Sequence, residues 1–179
     1  WEVEGSLHYL SVKLEKPDEP AMALIRDDLK RSGFGWDPGT GKWWLRDNHK
    51  LLNFLADHLD GLIRGKGAVL GPNFSRVFGK VKLARIRADV REVGGRYELE
   101  AGLDAGVSDD VLRRQLEQGR KYWVEGDQVV LIPESIIQSL SELSDHTSAS
   151  NVRSSRIRVK LDPRMLASAE RWIDESGAA

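Results

Sequence analysis

The sequence predicts an α+β fold: two small subdomains with antiparallel or mixed sheets and packed helices. Three observations predict it. Short runs of alternating apolar and polar residues stand between apolar stripes of helical period. Glycine-bearing turns split several of those runs into hairpins, as in "REVGGRYE". A glycine-rich break, "RGKGAVLGPNFSRVFGK", separates two groups of such elements. The predicted division is residues 1–64 as a strand–helix–hairpin–helix subdomain and 65–83 as a connecting segment. Residues 84–143 then form a hairpin–helix–hairpin–helix subdomain, and 144–179 a polar linker, a strand and a C-terminal helix.

In chain order, "SLHYLSVKLE" reads as a first strand, with Leu7 and Tyr9 in near-alternation. "KPDEPAMALIRDDLKRSG" reads as a helix, with acids and Pro20 at its start and Gly33 at its end. "GFGWDPGTGKWWLRD" contains "GTGK", which resembles part of a phosphate-binding loop. The spacing excludes that: the residue five before Gly41 is Trp36, and Trp43 follows Lys42 where the motif needs Ser or Thr. A hairpin with Pro38, Gly39, Thr40 and Gly41 as its loop fits instead. It pairs Asp37 with Lys42, Trp36 with Trp43, Gly35 with Trp44 and Phe34 with Leu45. Phe34, Trp36, Trp43 and Leu45 then share a core face, and Trp44 lies on the other face over a glycine. "RDNHKLLNFLADHLDGL" is a helix capped by Asp47, with Leu51, Leu52, Leu55 and Leu59 as its stripe.

Beyond the break, "LARIRADVREVGGRYELEAGLD" folds at Gly94-Gly95. A two-residue loop pairs Arg91 with Glu98, Val90 with Leu99, Ala88 with Ala101 and Ile86 with Leu103, so apolar meets apolar along one face. The alternation slips between Leu83 and Ala84, which marks a bulge or a bend. "GVSDDVLRRQLEQG" is a helix capped by Ser108, and "KYWVEGDQVVLIP" a hairpin turning at Gly126-Asp127. "PESIIQSLSEL" is a helix with Ile136, Ile137, Leu140 and Leu143 on one face. "SDHTSASNVRSS" is the linker. "RIRVKLDPRMLASAERWIDESG" gives a strand, then a helix from about Asp162 with Met165, Leu166, Ala169, Trp172 and Ile173 on one face.

The composition sets bounds on function. Among 179 residues, 40% are hydrophobic and 31% charged, the balance of a globular chain. A net charge of -1 provides no global attraction to nucleic acid or anionic membrane, so any such binding needs a local patch. The absence of cysteine excludes disulfides and thiolate metal sites and fits a cytoplasmic location. No apolar run approaches the roughly 20 residues of a membrane helix. The chain begins at Trp1 and is expected to be a piece of a longer protein.

Two clusters are candidate nucleic-acid or partner contacts. Lys42 and Arg46 flank Trp44, which is either packed against another element or presented as a stacking platform for a base or a partner. Arg153, Arg156, Arg158 and Lys160 meet no nearby acid before Asp162, and they serve either phosphate contacts or docking. A third basic run, Arg76 to Arg91, faces Glu98, Glu100 and Asp104 in the predicted register and reads as a salt-bridged solvent face. His49 and His58 are nine apart on one helix and cannot share a metal. No catalytic, cofactor-binding or metal-binding residue is expected, and no cofactor.

"GVSDDVLRRQLEQGRKYWVEGDQVVLIPESIIQSL" carries a recognisable pattern through Val107, Ser108, Leu112, Leu116, Gly119, Lys121, Tyr122, Val124, Gly126, Val129, Leu131 and Pro133. It resembles the bacterial Swi/Snf helicase-associated domain over about residues 84–143. The opening hairpin is also similar to a pattern in helicase-linked annealing-type domains. There a turn separates an aromatic strand from a tryptophan-bearing strand ahead of a helix. The first resemblance implies a non-catalytic accessory domain of a DNA-dependent ATPase. Its partner would be the motor of the same polypeptide, and it would act by domain docking or protein interaction, with weak DNA contact. The alternative is an autonomous nucleic-acid-binding module.

Overall fold

The computed structural model describes residues 1–145 and 156–176. The chain has an α+β fold whose strands form three small mixed or antiparallel sheets. The predicted linker and Arg153 with it lie outside the described residues. Two compact units are present, Trp1–Val81 with Val124–Leu131, and Lys82–Trp123 with Ile132–Ala179.

The first unit contains β1 (Glu2–Gly5), β2 (Leu10–Lys13), α1 (Pro20–Arg31), β3 (Gly35–Asp37), β4 (Lys42–Leu45) and α2 (Asn48–His58). A π-helical turn over Leu59–Arg64, β5 (Val69–Leu70) and α3 (Pro72–Phe78) follow. The sheet order is β3-β4-β2-β1-β5, antiparallel except for β5 beside β1. Alternation makes one face apolar: Val3, Leu10, Val12, Trp43 and Leu45 are buried, as are Ile25 and Leu29 of α1 and Leu51 and Leu55 of α2. Each such side chain contributes about 1.5–3 kcal/mol. Phe34 meets Phe54 of α2 edge to face at 4.9 Å between centroids. Pro20 opens α1 at the first helical turn, where its missing N–H costs nothing. The carboxylate of Asp47 caps α2 by accepting the Lys50 N–H at 3.0 Å.

Three expectations are corrected here. The stretch predicted as the first strand holds only β2, and β1 precedes it unpredicted, because the chain reverses between Gly5 and Leu10. The Ser6 N–H donates to the Tyr9 carbonyl at 2.9 Å, and the Ser6 hydroxyl accepts from the His8 N–H at 3.1 Å. Leu7 and Tyr9 carry the alternating pattern through that local turn and hide it. Trp36 pairs with Trp43 as predicted but is 52% exposed, because β3 is the sheet edge. The connecting segment holds β5 and α3, whose Phe74 and Phe78 are buried.

Helix α3 lacks a capping side chain at Gly71, and a residue far away in sequence supplies one. Glu4 Oε1 accepts the Phe74 N–H at 3.0 Å and the Gly5 N–H at 2.8 Å. A Cβ on Gly71 would lie 1.7 Å from Glu4 Oε2. Gly71→Ala is therefore expected to cost about 1–3 kcal/mol. Glu4→Ala alone loses the cap, about 0.5–2 kcal/mol. The double variant should lose clearly less than the sum, since the clash needs both groups. Urea unfolding of the four proteins checks this, and strict additivity would refute the contact.

The second unit contains β6 (Lys82–Leu83), β7 (Arg85–Val93), β8 (Arg96–Asp104), α4 (Asp109–Glu117) and the start of β9 (Tyr122–Glu125). The β9 hairpin turns at Gly126-Asp127 into β10 (Gln128–Leu131). Next come α5 (Glu134–Asp145), β11 (Arg156–Leu161), a 3₁₀ turn (Pro163–Met165) and α6 (Leu166–Ser176). The β7–β8 register is the one the sequence predicts, from Arg85 opposite Asp104 to Arg91 opposite Glu98. Gly94 and Gly95 have φ of 59° and 76°, as the mirror-image turn of a two-residue hairpin requires. Ile86, Leu99, Ala101 and Leu103 are buried on one face, with Leu112 of α4 and Leu140 and Leu143 of α5 also buried. Ser108 stands at the cap position of α4, but its hydroxyl makes no capping bond, and Asp109 and Asp110 occupy the first turn. The guanidinium of Arg91 holds Asp89 on its own strand, Nε to Oδ2 at 2.6 Å. Strand β11 adds to the free edge of β8, giving the order β11-β8-β7.

Candidate nucleic-acid interface

The β3–β4 hairpin is held by Asp37. Its carboxylate accepts the Gly39 N–H at 3.0 Å and the Thr40 hydroxyl at 2.8 Å. Those two bonds, the hydroxyl first, hold the Asp37 carboxyl below its ordinary value of 3.8. Thr40 Oγ1 in turn accepts from the indole Nε1–H of Trp44 at 3.3 Å. The turn that reverses the chain thus also fixes the tryptophan's orientation.

Trp44 is half-buried on the face opposite the core. Its register neighbours are small, Gly35 on one side and Ser11 on the other. Tyr9 tilts against it at 5.9 Å between centroids, and the Arg46 guanidinium lies over it at 5.1 Å. Exposed Arg46 and half-buried Lys42 make no ion pair among the described residues, although the Arg46 charge also helps to lower the Asp37 carboxyl. Trp44 packs on Tyr9, and part of it still faces solvent. Tyr9 is the member of the cluster that the sequence reading missed. Only the β2–β4 pairing, Ser11 opposite Trp44, brings it there. On the other side of the hairpin, exposed Trp36 leans on Trp43 at 5.3 Å, with Lys30 Nζ 5.9 Å from the Trp43 ring.

The C-terminal cluster lies in the other unit and has a different setting. The backbone places Arg156 opposite Gly102, Arg158 opposite Glu100 and Lys160 opposite Glu98. Arg158 Nη2 is 3.3 Å from Glu100 Oε2. The expectation that this run meets no acid is corrected: its acids come from β8, far earlier in the sequence. The first cluster therefore has no cation in an ion pair, whereas in the second Arg158 is paired with Glu100 across the strands.

Among the described residues no three His, Cys, Asp or Glu side chains gather as metal ligands, and no helix is long and apolar enough to cross a membrane. Asp47 also titrates below 3.8, chiefly through the Lys50 N–H. Both carboxyls are depressed in the folded state. They contribute stability above pH of about 4, and this is lost as pH falls through the folded values. Acid titration followed by circular dichroism should show a smaller loss of melting temperature below pH of about 4 in Asp37→Asn/Asp47→Asn than in the wild type. An identical acid limb would assign the loss to other groups. Comparison of the chain with protein-family models, curated proteins and solved structures gives no match.

Proposed function

We propose that the chain is a non-catalytic accessory domain of a Swi/Snf-type DNA-dependent ATPase, and that it contacts nucleic acid through the outer face of the β3–β4 hairpin. The observation that carries the contact is the Tyr9–Trp44–Arg46 cluster with Lys42 beside it. Indole and guanidinium planes are surfaces on which bases stack, and the two cations meet backbone phosphates. Every base has a face that can stack, so binding through this cluster is expected to tolerate any sequence. The link to an ATPase motor rests on the resemblance over residues 84–143, where a helix, a glycine-turned hairpin and a second helix follow in order.

Fluorescence anisotropy with a labelled single-stranded oligonucleotide tests the contact. Affinity is expected to fall steeply from 50 to 200 mM salt, and Arg46→Ala should lower the slope of log K against log salt by about 0.7. Absence of binding at 50 mM salt to both single and double strands would remove the nucleic-acid reading. The motor assignment predicts DNA-stimulated ATP hydrolysis by the full-length protein, weakened by Trp44→Ala; a parent lacking ATPase motifs would end it.

A further inference from the structure

The outer face of the β11-β8-β7 sheet carries a charge pattern with one gap. Rows across the three strands follow from the register. Arg91, Glu98 and Lys160 form one row, and Asp89, Glu100 and Arg158 the next. Each has at least one carboxylate beside its cations. The following row is Arg87, Gly102 and Arg156, two arginine positions with a glycine between them. Neighbouring strands are about 4.8 Å apart, so those two backbones stand about 10 Å apart across a site with no side chain. A tetrahedral anion fits over Gly102 beside Arg87, with one row of the sheet as its floor.

The surface there is concave. A groove of about 710 Å³ is lined by Arg87, Arg91, Arg158, Asp89, Glu100 and Gly102 among others. The two carboxylates are engaged, Asp89 with Arg91 at 2.6 Å and Glu100 with Arg158 at 3.3 Å. Arg87 pairs with no carboxylate among the described residues. The lining therefore carries a net charge of +1 from three arginines and two acids, and its unpaired cation stands beside the glycine. The residues lining the groove include no aromatic ring to hold a base.

We propose, on the nucleic-acid reading above, that this groove clamps one backbone phosphodiester of a nucleic-acid strand, with Arg87 as the principal cation and Gly102 as the space the phosphate enters. The contact positions the strand and reads no sequence, since it meets only the charged backbone. The clamp sits in the second unit and so adds a contact separate from the hairpin of the first.

Titration of the intact chain with a labelled single-stranded 12-mer tests it. Arg87→Gln should lower the salt slope by about 0.7, the loss of one phosphate on a single strand. Gly102→Glu supplies the missing carboxylate of the row and should do at least the same, with folding checked by circular dichroism. Neither variant should alter binding of an oligonucleotide whose backbone is neutral methylphosphonate. An unchanged slope in Arg87→Gln, while Trp44→Ala still weakens binding, overturns the clamp and leaves the proposed function standing. If the wild type binds no oligonucleotide, both fall. If inorganic phosphate raises the melting temperature through Arg87 while the DNA slope is unchanged, the site takes small phosphorylated molecules, which overturns the strand as its occupant.

Discussion

Phe74→Ala is expected to destabilise the first unit by about 3–5 kcal/mol, the largest effect of any single truncation considered for this chain. Phe74 is fully buried in a helix of only seven residues. So short a helix has little stability of its own, and its docking depends on what it buries. Phe78 packs against Phe74 at 4.5 Å, and a partly open pocket of about 120 Å³ lined by Leu59, Leu70 and both phenylalanines lies beside them. The Glu4 cap on the same helix contributes about 1 kcal/mol. Burial therefore decides whether α3 docks, and the cap decides its orientation. Against a domain stability of about 5–15 kcal/mol, the variant should show a lower urea midpoint with an unchanged slope. A loss under about 1 kcal/mol would mean that α3 does not hold the core closed.

The parts of this fold readable in the sequence are those settled by neighbours in the chain. The registers of the β3–β4 and β7–β8 hairpins follow from turn chemistry and from matching apolar residues over a few positions. Asp47 and Pro20 mark helix starts for the same local reason. What was not readable depends on position in the sheet. Trp36 has the right partner and face but stands on an edge strand, where nothing covers it. Ser6 to Tyr9 turn by local bonds while the side chains keep alternating. Helix α3 takes its cap from Glu4, 70 residues before the capped Phe74 N–H, so its own sequence shows Pro72 at the first turn but no capping side chain. The same distinction governs the candidate sites. Lys42, Trp44 and Arg46 lie on one hairpin and were found together, whereas Tyr9 joins them only through strand pairing. Arg158 looked free of acids because Glu100 is 58 residues away.

Trp44→Ala is expected to weaken single-stranded DNA binding by about 5–150-fold, the 1–3 kcal/mol of one base stacked on an aromatic side chain. The indole is well suited to this. Thr40 fixes its N–H, Tyr9 supports it, and Arg46 lies over it, so little rotamer freedom remains to be lost on binding. The same contacts mean the substitution also removes packing against Tyr9, so affinity and folding must be separated. Trp44→Phe keeps an aromatic plane but loses the bond to Thr40. It should retain most of the affinity, whereas Trp44→Ala loses it even at a temperature where circular dichroism shows the variant fully folded. Thr40→Val removes the acceptor for the indole and leaves the ring intact. If Thr40→Val weakens binding by several-fold, the turn acts by orienting the platform. If Trp44→Ala binds like the wild type, the cluster is packing alone, and contact with nucleic acid must be sought on the arginine rows of the second unit.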